Sequence, residues 1–149
     1  PHWRQAAVID RYGAVATHDG GNAFPQSSVS IGVSVVAMGN LLAHAHVTQA
    51  MVDQYAATPD APFAERLVRA LEAGLAAGGE AAPVKAAGLK VSRQFDWPVV
   101  DLRVDWADEP IRHLRELWDR YRPLEPDFVS WASDPDTAAA KIAIRPHPE

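Results

Sequence analysis

The 149 residues contain no cysteine, which excludes a disulfide framework, a thiol nucleophile within the chain and a cysteine-ligated zinc site. Basic residues are also few. Fourteen Lys and Arg stand against nineteen Asp and Glu, the formal charge is −5, and the basic residues nowhere form a block. Nucleic acid and an anionic membrane are therefore not expected as partners. No apolar run approaches the roughly 18 residues of a membrane span, and no basic-then-apolar leader opens the chain. Methionine occurs only at 38 and 51 and the chain opens on Pro1, which fits an N-terminus made by processing or by a cut. Together these absences favour a cytoplasmic protein. The remainder is globular in character, at 48% hydrophobic and 22% charged, in a length that suits one core.

Patterning along the chain predicts a mixed architecture. Arg4 to Thr17 reads as a hairpin, with Ala6–Ile9 and Ala14–Thr17 flanking a turn in which Gly13 supplies a positive φ. A glycine-rich polar loop from His18 to Ser27 follows. Val29, Ile31, Val33 and Val35 then alternate with Ser28, Ser30, Gly32 and Ser34, which predicts one half-buried strand covered by a helix on one side. A helix is expected from about Asn40 to Tyr55, with Val47, Ala50, Met51 and Tyr55 on one stripe. A second helix carries Phe63, Leu67, Leu71 and Leu75 in steps of four, with Asp60 as N-cap and Gly78-Gly79 as its stop. Lys85–Val91 and Val99–Val104 read as strands, the latter placing Val100, Leu102 and Val104 opposite Asp101, Arg103 and Asp105. Asp108 and Pro110 mark the start of a helix bearing Ile111, Leu114, Leu117, Trp118 and Tyr121.

Residues 1–121 are thus expected to form the domain. Prolines at 123, 126, 135, 146 and 148 predict an irregular arm over 122–149, docking through Phe128, Val129, Trp131, Ile142 and Ile144. The element order suits layered α+β or a helix-sheet-sheet-helix sandwich. About five strands are few for such a sandwich, so a second chain is expected to complete it.

Four stretches carry a resemblance in the same order. Arg4-Gln5-Ala6-Ala7-Val8-Ile9-Asp10 with Gly13-Ala14-Val15-Ala16 resembles the "RQ-hydrophobic-VD-x-x-G-x-V-A" hairpin of a bacterial and archaeal family of formerly unknown function, placed among the N-terminal-nucleophile (Ntn) hydrolases. Gly39-Asn40-Leu41-Leu42 is similar to its "GN-M/L-L" step, and Phe63–Gly74 with Ala77-Gly78-Gly79 to its "LAERLL-x-ALEAG…AGG" helix. Val100–Asp105, Pro110 and Leu114–Leu117 resemble its "VDLRVD…P…LRRL" ending. The resemblance runs from about Arg4 to Tyr121. Three features depart from it. The family's opening "T/S-x-S-I-V-A" strand, which bears the presumed nucleophile, is absent. Its "TG-x-x-C…W-A-GH" stretch survives only as Thr17–Ser28, and its "RQSA" step is Val84–Ala87 here.

The resemblance implies the Ntn-type αββα sandwich without its N-terminal strands, and the chemistry of an amidohydrolase. In such enzymes a chain-terminal Thr, Ser or Cys attacks an amide carbonyl while its own α-amine takes the proton. Pro1 cannot serve, so this chain is expected to be the subunit that lacks the nucleophile. A second chain would carry the Thr, Ser or Cys, forming a hetero-oligomer acting on a small linear or cyclic amide. Asn40 is the expected oxyanion contact, since a side-chain amide at a strand end can donate to a developing negative oxygen. It could instead cap the next helix. His18 and Asp19 in the glycine-rich loop are expected substrate contacts, as is Arg103, which could equally pair with Asp101. His44 and His46 lie two apart, and on a helix they would point away from each other, so no metal and no cofactor are expected. Two other readings stay open. One is a non-catalytic binding or assembly module; the other is a tautomerase using Pro1 as base, although His2-Trp3-Arg4-Gln5 is not the apolar strand such a site needs.

Overall fold

The computed structural model describes residues 1–23 and 26–138. The chain forms β1 (Gln5–Ile9), β2 (Val15–Asp19), β3 (Ser28–Gly32), β4 (Val35–Gly39), α1 (Val47–Ala56), α2 (Phe63–Ala76), β5 (Ala87–Ser92), β6 (Pro98–Val104), α3 (Pro110–Tyr121), α4 (Glu125–Ser133) and α5 (Pro135–Ala138). The strands pair as three antiparallel hairpins, β1-β2, β3-β4 and β5-β6, so the class is α+β as expected.

The first hairpin forms where its turn chemistry places it. Asp10 Oδ1 accepts from the backbone N–H of Tyr12 at 2.8 Å and of Ala14 at 2.9 Å, and Gly13 takes φ +84°. The second hairpin corrects two expectations. The valine-serine alternation is two strands, because the chain reverses at Val33-Ser34, with Ser34 at φ +55° and Val33 93% exposed. Pairing the two halves with each other satisfies backbone groups that a lone edge would leave open. The helix also covers the other face. Ser28 Oγ and Ser30 Oγ lie 2.9 and 2.8 Å from Thr48 Oγ1 on α1, while Ile31 is 54% exposed on the side turned away. Gly32 allows this close approach, because a Cβ there would meet Val52 Cγ1 at 2.7 Å. The two hairpin tips touch, and a Cβ on Gly13 would sit 2.2 Å from Ser34 Oγ.

The helices also shift from their expected bounds. Strand β4 continues to Gly39, and α1 starts only at Val47. Its buried residues are Val47, Thr48, Val52 and Tyr55. Helix α2 begins after Pro62 with no side-chain cap, so Asp60 does not serve as N-cap. Its four-step stripe turns out of the core at both ends, leaving Phe63 and Leu75 about half exposed. At 3.6 residues per turn each step of four advances about 40° beyond a full turn, so three steps swing the stripe about 120°. Ala64, Val68, Ala70 and Gly74 take the buried face instead. Gly78 and Gly79 do end the helix, at φ +117° and +61°, with Gly79 N–H donating to Gly74 O at 2.9 Å.

The core lies between α2, α3 and the β5-β6 hairpin: Ala64, Val68, Leu89, Val91, Val99, Val100, Leu114 and Trp118. Pro110 opens α3 as expected, but without a side-chain cap; Asp108 accepts from Lys85 Nζ instead. An ionic cluster around the buried Glu65 ties α2 to α3. Glu65 accepts from Arg69 Nε at 2.6 Å, Arg115 Nη1 at 2.8 Å and Trp118 Nε1 at 2.7 Å, and Arg115 also forks onto Glu72 at 2.8 and 3.0 Å. The proline-rich region is not an irregular arm where it is described. Pro126 and Pro135 sit in the first turns of α4 and α5, where a missing N–H costs nothing. Phe128 stacks on Tyr121 and meets Trp131 edge-on, and Val129 packs against the core. Ile142 and Ile144 lie outside the described residues.

Candidate active-site cleft

Past the end of β4 the backbone turns sharply, with Leu41 at φ +54°, a conformation costing a branched residue about 1 kcal/mol. This turn presents Asn40. Its Nδ2 donates to Gln5 Oε1 at 2.8 Å, and Gln5 Nε2 donates to Gly39 O at 3.0 Å. The two bonds fix both amides. The helix-capping alternative is removed, because the N-cap of α1 is His46, six residues on. Asn40 lines a cleft of about 370 Å³ between the end of β4, the start of β5 and the helices α1 and α2. Among the described residues, Asn40 and Glu80 are the only polar side chains along it; the remainder is apolar or glycine. The cleft floor is low because Gly74 lacks a side chain, and a Cβ there would meet Met51 Cγ at 2.8 Å.

The other expected residues are dispersed. Asp19 ends strand β2 opposite Gln5, so its side chain shares a face with the Gln5–Asn40 pair, but it accepts from Ser27 Oγ at 3.0 Å and does not line the cleft. His18 belongs to the same strand, not to a loop, and it projects from the opposite face with Nε2 3.1 Å from Pro1 O. Arg103 does not pair with Asp101. It lies 3.6 Å from Asp105, while Asp101 faces Lys90 across the hairpin at 3.9 Å. Arg103 borders a separate shallow hollow with His113, Glu116 and Arg120.

His44 and His46 precede α1 instead of riding on it, and their rings stack at 5.1 Å. Among the described residues no group of three or more His, Cys, Asp or Glu could hold a metal ion. No helix of the described residues is long and apolar enough to cross a membrane.

Two residues escaped the sequence reading, Gln5, which holds Asn40, and Glu80, which lines the cleft. Gln5 sits in the "RQ" step of the first motif, a signal for the site that a strand reading passes over. Glu80 follows the Gly-Gly stop of α2 and is brought to the cleft by its bridge to Leu42. Only the return of the chain past β4 could reveal it.

The fold and the cleft define a mixed α+β unit with a half-buried amide pair, Gln5 and Asn40, at the cleft rim. Residues 1–114 match the model of a family of unknown function, DUF1028, and the chain belongs to that family. A crystal structure of protein SPO2555 from Silicibacter pomeroyi, of the same family model, superposes with a TM-score of 0.71 at 30% identity. The match covers 80% of this chain and 52% of that one, so this chain spans about half the length of that protein. No curated protein matches.

Proposed function

We propose that the chain provides the transition-state contacts of an Ntn-type amide hydrolase, with the attacking residue on another polypeptide. The observation that carries this reading is Asn40: an amide locked by Gln5, at the rim of a cleft otherwise apolar except for Glu80. Nδ2 has two hydrogens. One engages Gln5, and the other makes no hydrogen bond among the described residues.

The reaction divides between the partner and this chain. A chain-terminal Thr, Ser or Cys of the partner loses its side-chain proton to its own α-amine, whose ordinary pKa near 8 suits it to that task. The oxygen or sulfur attacks the substrate carbonyl, and the carbonyl electrons move onto the oxygen. Asn40 Nδ2 donates to that oxyanion. Collapse expels the amine, which takes the proton back from the α-ammonium, and water then releases the acid by the same route in reverse. A small linear or cyclic amide fits a cleft of about 370 Å³ with so few polar groups.

The test uses the assembled complex of this chain with the nucleophile-bearing polypeptide, assayed on acyl-p-nitroanilides and small lactams. Asn40→Ala is expected to lower kcat by roughly 10²–10³ with KM little changed, which is the cost of one oxyanion donor. Unchanged kcat in that variant, or full activity of the 149-residue chain alone, overturns the proposal. A second reading, a non-catalytic assembly module, is favoured by the exposed Val8, Ile31 and Val33 of the first two hairpins. It predicts a stable complex without turnover.

A further inference from the structure

Glu65, Glu72, Glu109, Glu116 and Glu125 each pair with an arginine. Glu80 differs from them, with neither an ion pair nor a side-chain hydrogen bond among the described residues. It is exposed, so its carboxylate is hydrated at the mouth of the Asn40 cleft and the fold does not require it to have a partner.

The backbone fixes where this carboxylate stands. Glu80 bridges Leu42 antiparallel, with Ala43 N–H donating to Gly79 O at 2.9 Å and Ala81 N–H donating to Leu41 O at 2.7 Å. Bonds on either side of the pair and none between its members mark a non-hydrogen-bonded position, where opposite Cα atoms approach to about 4.5 Å and the side chains lie close together. Leu42 and Glu80 accordingly both line the cleft. Asn40 precedes Leu42 by two residues and lines the same cleft, which makes it a diagonal neighbour of Glu80, on the order of 7–8 Å away. Between the two polar groups lies Leu42, 6% exposed. Among the described residues the lining contains no lysine, arginine or histidine.

We infer that the cleft takes an amide that also carries a cationic amine, with the amide at Asn40, the ammonium at Glu80 and a short run of methylenes crossing over Leu42. The amide end rests on the hydrolase reading; the cationic end rests on Glu80 and its register. Glu80 is then the specificity-determining residue of the site. Apolar walls hold methylenes without telling one end of a ligand from the other, and a single carboxylate supplies that distinction. It also excludes acidic amides, because a substrate carboxylate would face Glu80 with no cation in the lining to offset the repulsion.

A two-dimensional NMR titration of the 149-residue chain with 5-aminovaleramide, valeramide and glutaramate tests this, at neutral pH and low salt. These probes share an amide and a similar length and differ in charge. 5-Aminovaleramide is expected to shift the amide signals of 39–42 and 79–81 and to bind about fivefold more tightly than valeramide, the size of a half-exposed ion pair, with glutaramate weakest. Added salt should erase the preference. Glu80→Gln should make the cationic and neutral amides equal, and Glu80→Lys should move glutaramate to first place; the exposed position lets both variants fold. Equal affinity for the cationic and neutral amides in the wild type overturns the inference, as does a preference that survives Glu80→Gln, or the absence of any shift in 39–42 with all three probes. These outcomes leave the hydrolase reading to its own test, the kcat of Asn40→Ala in the assembled complex. Selective binding together with an unchanged kcat in that variant would uphold the cation-selective amide site and remove the hydrolysis.

Discussion

At Glu65 a carboxylate is kept ionised inside the protein. Burial by itself would push its pKa up, but hydrogen bonds from Arg115, Arg69 and Trp118, with the charge of Arg115, outweigh that and pull it from 4.5 down to about 2. The folded value lies below the unfolded one, so the stabilisation is fully present above pH 4.5 and is lost as pH falls from 4.5 through 2. Its size is about 3 kcal/mol. Urea midpoints of the wild type should fall over that interval, whereas Glu65→Gln should show a flatter profile there. At neutral pH the same variant should be less stable by about 3–5 kcal/mol, since it leaves Arg115 with reduced compensation. A midpoint for Glu65→Gln equal to that of the wild type at pH 7 would contradict this. Nothing in the spacing of Glu65, Glu72 and Arg115 announces the cluster, because Arg115 lies 50 residues from Glu65 and meets it only when α3 packs on α2. The place of Asn40 just past a strand was legible for the opposite reason: it stands beside a glycine where an apolar run stops, and there a local reading suffices.

For the elements, the β3-β4 hairpin shows that apolar alternation reports a strand without reporting which face is covered. Serine and glycine let the sheet approach α1 closely, and Thr48 converts two hydroxyls into partners at the contact. Thr48→Val should therefore cost about 2–3 kcal/mol, from two serine hydroxyls left without their acceptor or donor. Ile31→Thr, on the face turned away, should change stability by no more than about 0.5 kcal/mol in the isolated chain. Thermal melts of the two variants would check the order, and a reversal would mean that the apolar face is the one buried. Strand existence was readable at all six positions except for the reversal at Val33-Ser34. That reversal depends on the neighbouring Gly13 turn, which leaves room for the Ser34 hydroxyl. The helices of the proline-rich end were missed because proline was weighed as a breaker, although at a first turn it is favourable.

For the whole molecule, the sequence reading anticipated strands separated by helices, and the six strands pair as three two-stranded hairpins. The three hairpins follow from local chemistry. Their packing does not, because it runs through close approaches that no periodicity encodes, at Gly13 between the first two hairpins, at Gly32 against α1 and at Gly74 between α2 and α1.

Gly74 carries one more implication. Met51 rests where a methyl group on residue 74 would be, so the depth of the hollow is gauged by a single absent carbon. Gly74→Ala should tilt the thioether upward, shrinking the room for bulky acyl groups while sparing compact ones. In the assembled complex this would appear as a kcat/KM that falls about tenfold or more for larger acyl-p-nitroanilides and stays level for acetyl. Equal losses for both would trace the effect to helix packing alone. Exchange between glycine and alanine at this one site would then let related proteins sort their substrates by girth without altering any polar group.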